Sequence, residues 1–142
     1  MLRSNDPKMR TLSRIEVLSG LTPRQLDGVC RLTTELRLPA DRILCRQGDE
    51  AREVFLLADG QVAVSRGDGL VGVVQAGGIV GEMGVLDVGR RSATAMALTD
   101  VTVHVLSTWE FSRLLEEYPT VAANVRALVA ARAEENEALR AA

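Results

Sequence analysis

Aromatic residues and histidine are scarce in this chain of 142 residues. Aromatics make up only 3%, so the hydrophobic core must be built from aliphatic side chains. A single histidine, His104, excludes metal sites made of several histidines and argues against histidine-dependent catalysis. The two cysteines, Cys30 and Cys45, have neither CxxC nor metal-ligand spacing. We therefore expect reduced, half-buried thiols, as in a cytosolic protein.

The sequence also lacks a long apolar run and a basic cluster. The absence of about 18 consecutive apolar residues excludes a transmembrane helix, and the first ten residues lack the apolar region of a signal peptide. With 17 basic and 19 acidic side chains the net charge is −2, which does not suggest a nucleic-acid-binding face. We expect a cytoplasmic protein that neither inserts into a membrane nor binds nucleic acid directly.

What is present suffices for one domain, which we place at residues 1–142. The length and the 46% of apolar residues suit a single hydrophobic core. The spacing of apolar residues divides the chain into a helical lead-in at 7–36, a β region at 37–107 and C-terminal helices at 108–141.

Capping signals predict where helices begin. Thr22, with Gln25 at the capping-box position, predicts one helix start, and Ser107 or Thr108 predicts another. Pro119 is typical of the first position of a further helix. That last helix carries an apolar stripe that we expect to pack on the core, formed by Val121, Val125, Leu128 and Val129.

The β region consists of short apolar segments between Gly and Asp turns. Strands at intervals of about 8–12 residues are typical of a sandwich, barrel or jelly roll. His104 alternates with its valine neighbours, so we expect it on the surface or at an edge, and we expect Trp109 to anchor packing. The predicted strands cover 42–45, 54–57, 61–65, 70–75, 92–98 and 101–106.

A glycine-rich stretch at 77–89 differs from the rest. It holds five glycines in 13 residues, which allow the backbone to approach an anion closely. Arg91 follows it with a guanidinium able to bind two phosphate oxygens. Glu82 supplies an acceptor suited to a sugar hydroxyl, since a carboxylate beside a phosphate would be repelled.

The residues Gly81-Glu82-Met83-Gly84-Val85-Leu86, followed by Arg91-Ser92-Ala93-Thr94, resemble the phosphate-binding cassette of cyclic-nucleotide-binding domains. That family includes the catabolite activator protein, regulatory subunits of cAMP-dependent kinase and cyclic-nucleotide-gated channels. The resemblance extends over about residues 12 to 132. Two departures are Val80, where the family often has an aromatic residue, and Gly89-Arg90, where a proline is usual; we expect Arg90 to face water.

The resemblance implies an α+β fold: an eight-stranded antiparallel β-roll (a double-stranded β-helix, jelly-roll-like) flanked by N-terminal helices and by C-terminal B and C helices. It implies a non-catalytic module whose ligand is cAMP or cGMP, with no other cofactor and no metal. Signalling would occur through movement of the C-terminal helix. The implied partners are the cyclic nucleotide and either a protein effector or a second copy bound through the C-terminal helix.

The resemblance also assigns roles within the site. Glu82 would accept from the ribose 2′-hydroxyl, Arg91 would neutralise the cyclic phosphate, and Ser92 would influence the choice of base, with cAMP favoured over cGMP. Arg132 either caps the base or is a solvated arginine. The implied ligand-binding set is Gly81, Glu82, Met83, Gly84, Arg91, Ser92, Ala93 and Arg132.

Other readings remain open. The chain could be the sensor part of a catabolite-activator-type transcription regulator without its DNA-binding domain, or a degenerate domain of this fold that binds no nucleotide. A metal-dependent jelly-roll enzyme is disfavoured because it needs several histidine ligands.

Overall fold

The part of the chain that the structure describes folds into two four-stranded antiparallel sheets with helices before and after them. The computed structural model describes residues 6–82 and 90–141, and within the second range only the backbone of 133 and 135–141. The sheet orders are β1-β8-β3-β6 and β2-β7-β4-β5. The strands are β1 Thr34–Leu38, β2 Ile43–Cys45, β3 Glu53–Asp59, β4 Gln61–Arg66, β5 Gly69–Gln75, β6 Ile79–Val80, β7 Thr94–Ala97 and β8 Val101–Ser107. This architecture confirms the predicted α+β roll.

Four α-helices and one 3₁₀ turn accompany the sheets in the described residues. Their bounds are α1 Pro7–Leu12, the 3₁₀ turn Glu16–Leu18, α2 Pro23–Leu32, α3 Thr108–Glu117 and α4 Pro119–Ala141. The predicted starts are confirmed, because Thr22 and Gln25 form a capping box, and Ser107 forms another with Glu110. None of the described helices has the length and apolar character needed to cross a membrane.

The helical lead-in ends earlier than the predicted boundary at residue 36. Helix α2 stops at Leu32, Thr33 is extended, and β1 begins at Thr34. Strand β1 pairs along its whole length with β8, from Thr34 opposite Val105 onward. This long-range pairing, together with two β-branched threonines, outweighs the helical spacing of the leucines. The two-residue strand β6 was not predicted, since it is too short to show a periodicity.

The core consists of two clusters separated by the sheet that contains β3. Alternate residues of β3 point to opposite sides, and Val54 to Ala58 are all buried. Val54 and Leu56 pack with the helices, whereas Phe55 and Leu57 fill the inside of the roll. The predicted packing of α4 on the core is confirmed, because its stripe joins the helix-side cluster through Val121, Val125, Leu128 and Val129.

Two predictions about single side chains are wrong. His104 is completely buried, not at the surface, because α1 covers its side of β8; its Nε2 lies 2.9 Å from Thr11 Oγ1 and 3.8 Å from Glu35 Oε2. Trp109 is 63% exposed and does not anchor packing. Phe111 takes that role on α3, and the guanidinium of Arg113 lies 5.0 Å from the centre of the Trp109 ring.

Both cysteines are free and half-buried, as predicted. Burial raises the pKa of both thiols, which lowers their nucleophilicity at neutral pH. Across the ranges 6–82 and 90–141, His, Cys, Asp and Glu side chains form no group of three that could hold a metal ion.

Candidate functional site

A cavity of about 720 Å³ opens between the inner face of the second sheet, strand β6 and helix α4. This volume lies within the range of small-molecule sites in proteins. The sheet supplies an apolar wall that includes Val64, Val71 and Val73, and α4 closes one side with Leu128. The charged groups of the wall are Glu16, Arg66, Glu82, Arg91 and Arg132.

Arg91 is the central charge of the cavity and is only 5% exposed. Its backbone is held on both sides: its N–H donates to Asp49 O at 2.8 Å, and its carbonyl accepts from Gly48 N at 2.9 Å. Its Nη2 donates to Glu53 O at 2.7 Å and its Nη1 to Gly81 O at 3.3 Å. The guanidinium also lies 5.8 Å from the centre of the Phe55 ring.

No carboxylate in the described part of the chain pairs with Arg91. A buried positive charge without an anionic partner is unfavourable in the empty protein. Carbonyls and a ring face offset only part of this cost. Because the cavity lies next to the guanidinium, the arrangement is suited to an anionic ligand.

Gly81 allows Arg91 to take this position. Its φ is +93°, in the left-handed region that favours glycine. A Cβ on this residue would lie 2.3 Å from Arg91 Nη1. Any larger residue would therefore strain the backbone and displace the guanidinium at once.

Glu82 follows directly after Gly81 and is completely buried. Its Oε1 accepts a hydrogen bond from Arg132 Nη1. Its Oε2 has no hydrogen-bond partner among the described residues. Burial raises the pKa of the Glu82 carboxyl, and the Arg132 guanidinium opposes that rise in part. One oxygen is thus engaged by the protein, and the other is a buried acceptor without a described partner, in a residue that lines the cavity.

Arg132 connects helix α4 to the rest of the site. Besides Glu82 it binds Ile79 O through Nη2 at 2.7 Å. The guanidinium therefore joins α4 to both β6 and the carboxylate that follows it. The sequence left two roles open for Arg132, a cap on the base and a solvated arginine. Neither includes the ion pair with Glu82, which forms only because α4 packs against the roll.

The structure brings most of the predicted site residues together. Gly81, Glu82, Arg91, Ser92, Ala93 and Arg132 all line the one cavity. Met83 and Gly84 lie outside the described residues. Arg90 is exposed, as predicted, and donates to Gly48 O at 3.0 Å.

Sequence reasoning missed Arg66 and the apolar contribution of β5. Arg66 lines the cavity and its Nε donates to Ser92 O at 3.1 Å. The alternation of Val62, Val64 and Arg66 was a usable signal, because such spacing places an arginine on the same face as two core-type valines. Strand β5 gave none, since a run of valines and glycines shows only that it is a strand.

A β-roll whose cavity is lined by a buried guanidinium, with no carboxylate partner among the described residues, is the arrangement of a domain that binds a small anionic ligand. Residues 35–118 match the family model described as the cyclic nucleotide-binding domain. The chain belongs to this family.

Known relatives support the assignment. The cyclic AMP receptor protein of Thermus thermophilus is 31% identical over 121 residues, which cover 82% of this chain and 56% of that protein. A cGMP-dependent protein kinase of Caenorhabditis elegans is 30% identical over 101 residues, covering 71% of the chain and 13% of the kinase. The crystal structure of the Thermus thermophilus catabolite activator protein superimposes with a TM-score of 0.78 at 29% identity, covering 86% of this chain and 60% of that one. This chain thus spans little more than half the length of the receptor protein and much less of the kinase.

Proposed function

We propose that the chain is a non-catalytic sensor that binds cAMP in preference to cGMP in this cavity. The observation that carries the proposal is the buried guanidinium of Arg91, which has no carboxylate partner in the described residues and lines a cavity of nucleotide size. A cyclic phosphodiester carries one negative charge on its exocyclic oxygens, and the guanidinium of Arg91 would form a charge-assisted hydrogen bond with one of them.

The sugar is placed by Glu82. Since Arg132 engages Oε1, the ribose 2′-hydroxyl would donate to Oε2. The hydroxyl is neutral, so this contact satisfies a buried acceptor without bringing a second negative charge near the phosphate. The backbone N–H groups of Gly81, Met83 and Ser92 would complete the phosphate contacts, with Gly84 and Ala93 beside them.

The base would lie against the apolar wall formed by β4 and β5. Valines supply no polar partners, and unpaired buried polar groups weaken binding. Guanine has more such groups than adenine, so an apolar wall favours cAMP. Ser92 is the residue that could offset this for cGMP, since its hydroxyl is able to bond to either base. The relatives include both a cyclic AMP receptor protein and a cGMP-dependent protein kinase, and titration with both nucleotides measures the preference.

The output of the sensor would be the position of helix α4. Arg132 ties this helix to the same carboxylate that would bind the ribose, so ligand binding and helix position share one group. A separate protein or a second copy of the chain, in the cytoplasm, would read the change. Because the chain spans 56% of the Thermus receptor protein, a second candidate is the sensor part of a transcription regulator.

Calorimetric titration with cAMP, cGMP and 5′-AMP tests the proposal. We expect cAMP to bind most tightly and Arg91→Ala to lose roughly 10- to 100-fold in affinity, since hydrogen bonds to charged groups contribute about 1.5–3 kcal/mol. The adjacent, exposed Arg90→Ala serves as the control and should bind like the wild type. The absence of heat with either cyclic nucleotide at millimolar concentration would contradict ligand sensing, and full affinity in Arg91→Ala would contradict the site.

A further inference from the structure

We propose that Arg66 is a second phosphate-binding arginine, which contacts the exocyclic phosphate oxygen that Arg91 leaves free. This inference rests on the proposed function and extends it to a residue outside the glycine-rich segment. It makes the cavity a two-arginine anion site, with one guanidinium buried and the other at the rim.

The register of the sheet puts Arg66 on the inner face of the roll. Side chains alternate along β4, so Val62, Val64 and Arg66 share one face. Val62 is buried inside the roll and Val64 lines the cavity. On the neighbouring antiparallel strand β7, Ala95 lies opposite Val64 and Thr94 opposite Ser65. Arg66 therefore lies on the inner face, beside the residues that directly precede β7.

One donor of Arg66 is fixed while the others remain available. Its Nε donates to Ser92 O at 3.1 Å. The structure gives Nη1 and Nη2 no protein partner within the ranges 6–82 and 90–141. The contact with Ser92 holds the guanidinium beside the residue that directly follows Arg91, at the wall of the cavity. Such anchoring lowers the entropy that the side chain loses when it binds an anion.

The balance of charge in the cavity favours a phosphate as the partner. Three arginines and two glutamates line it. Glu82 neutralises Arg132, and Glu16 forms no ion pair with Arg91 or Arg66 among the described residues. Neither Arg91 nor Arg66 has a carboxylate partner in the described portion of the chain. A cyclic phosphate distributes its charge over two exocyclic oxygens, so one arginine can bind each oxygen. A base edge would use the second arginine but would leave its charge uncompensated.

Substitution of Arg66 by Gln tests this with cAMP and with cGMP. We expect a loss of about 5- to 20-fold, smaller than for a buried charge because Arg66 is exposed. The loss should be equal for the two nucleotides, since they share the phosphate. Arg66→Lys, which keeps the charge, should recover part of the affinity. Arg37→Gln, an equal change of charge on an exposed residue of β1 in the other sheet, should bind like the wild type.

The two phosphorothioate diastereomers of cAMP identify the atom, because each replaces one exocyclic oxygen by sulfur. We expect Arg66→Gln to weaken cAMP and one diastereomer, and to change the other by less than twofold. A change in cAMP affinity below twofold overturns the proposal. So does a loss confined to cGMP, which would mean base recognition, or an equal loss for cAMP and both diastereomers, which would mean that Arg66 only positions Ser92.

Two controls separate this result from other failures. The ligand-free melting temperature of Arg66→Gln should match that of the wild type. If it is lower, the nucleotide affinity of Arg66→Lys is compared with that of the wild type instead. If the wild type itself binds neither nucleotide, the proposed function fails. If the wild type binds and Arg66→Gln binds equally well, only the role of Arg66 fails.

Discussion

Arg91 illustrates how a single side chain sets the chemistry of the cavity. Bringing a guanidinium out of water costs several kcal/mol when no anion accompanies it. The protein offsets part of that cost with two carbonyl acceptors, Glu53 O and Gly81 O, and with the face of Phe55. An anion in the cavity would supply the missing partner. We therefore expect the contact with Arg91 to contribute more to binding affinity than any other charged contact in the cavity.

Gly81→Ala should abolish tight binding by displacing Arg91. We expect a loss of affinity of at least about 10-fold in calorimetry, because the new methyl group would lie only 2.3 Å from the present position of Nη1. The positive φ also costs stability, about 1–2 kcal/mol for any residue with a Cβ.

Gly20→Ala is the matched control for that strain. Gly20 has a φ of +89°, close to the +93° of Gly81, and its nearest neighbour would be a threonine methyl at 3.3 Å. It should lose stability but keep its affinity for the nucleotide. Equal affinities of the two variants would mean that Gly81 matters only for its backbone conformation.

Among the elements, helix α4 contacts both the core and the cavity. It packs on the core through Val121 and Val125 and then reaches the cavity through Arg132. The first contacts are apolar and independent of ligand, whereas the last involves the carboxylate that would bind the ribose. The end of the helix near Arg132 should therefore respond to nucleotide while its beginning stays in place.

Arg132→Gln should speed the release of cAMP by about 10-fold, because it removes a charge-assisted hydrogen bond that holds α4 over the cavity. Stopped-flow displacement of a fluorescent nucleotide measures this rate. Arg126→Gln changes an exposed arginine of the same helix and should leave the rate unchanged. An unaltered release rate in Arg132→Gln would contradict a role of α4 in retaining the nucleotide.

Elements with a local signal were predicted well from sequence, whereas two strands that depend only on pairing, β1 and β6, were not. The capping boxes at Thr22 and Ser107 depend on residues three positions apart, so both helix starts are visible in the sequence. Strand β1 exists because it pairs with β8 about 70 residues later in the sequence. The same holds for the site: Arg91 stands in a recognisable segment, whereas the partnership of Arg132 with Glu82 and that of Arg66 with Ser92 arise only when distant elements meet.

At the scale of the whole molecule, the packing of the N-terminal helices on one sheet excludes water from His104, which is completely buried. Burial lowers the pKa of His104 from 6.5 to about 4. A lowered pKa means that the folded state disfavours protonation. The contribution of His104 to stability is therefore complete above about pH 6.5 and is lost as the pH falls toward 4, by about 3 kcal/mol in all. Glu82 acts in the opposite sense: burial raises its pKa, so its protonation favours the folded state at low pH.

His104→Gln separates these two effects. Urea unfolding at pH 7.5 and at pH 4.5 should show a larger drop in the free energy of unfolding for the wild type than for the variant, with a difference of about 2–3 kcal/mol. A general loss of stability from the substitution appears at both pH values and cancels in this comparison. Identical pH dependence in the two proteins would show that His104 does not titrate on unfolding as expected.

The clasp of Arg132 on Ile79 and Glu82 has a mechanical consequence. It is the last contact between α4 and the roll that the structure describes, yet the helix continues to Ala141. At 1.5 Å per residue, the helix extends about 14 Å beyond Arg132. A tilt of the helix by about 10° at Arg132 would displace its C-terminal end by about 2–3 Å. Loss or gain of one hydrogen bond near the sugar would thus be amplified into a movement large enough for another surface to register.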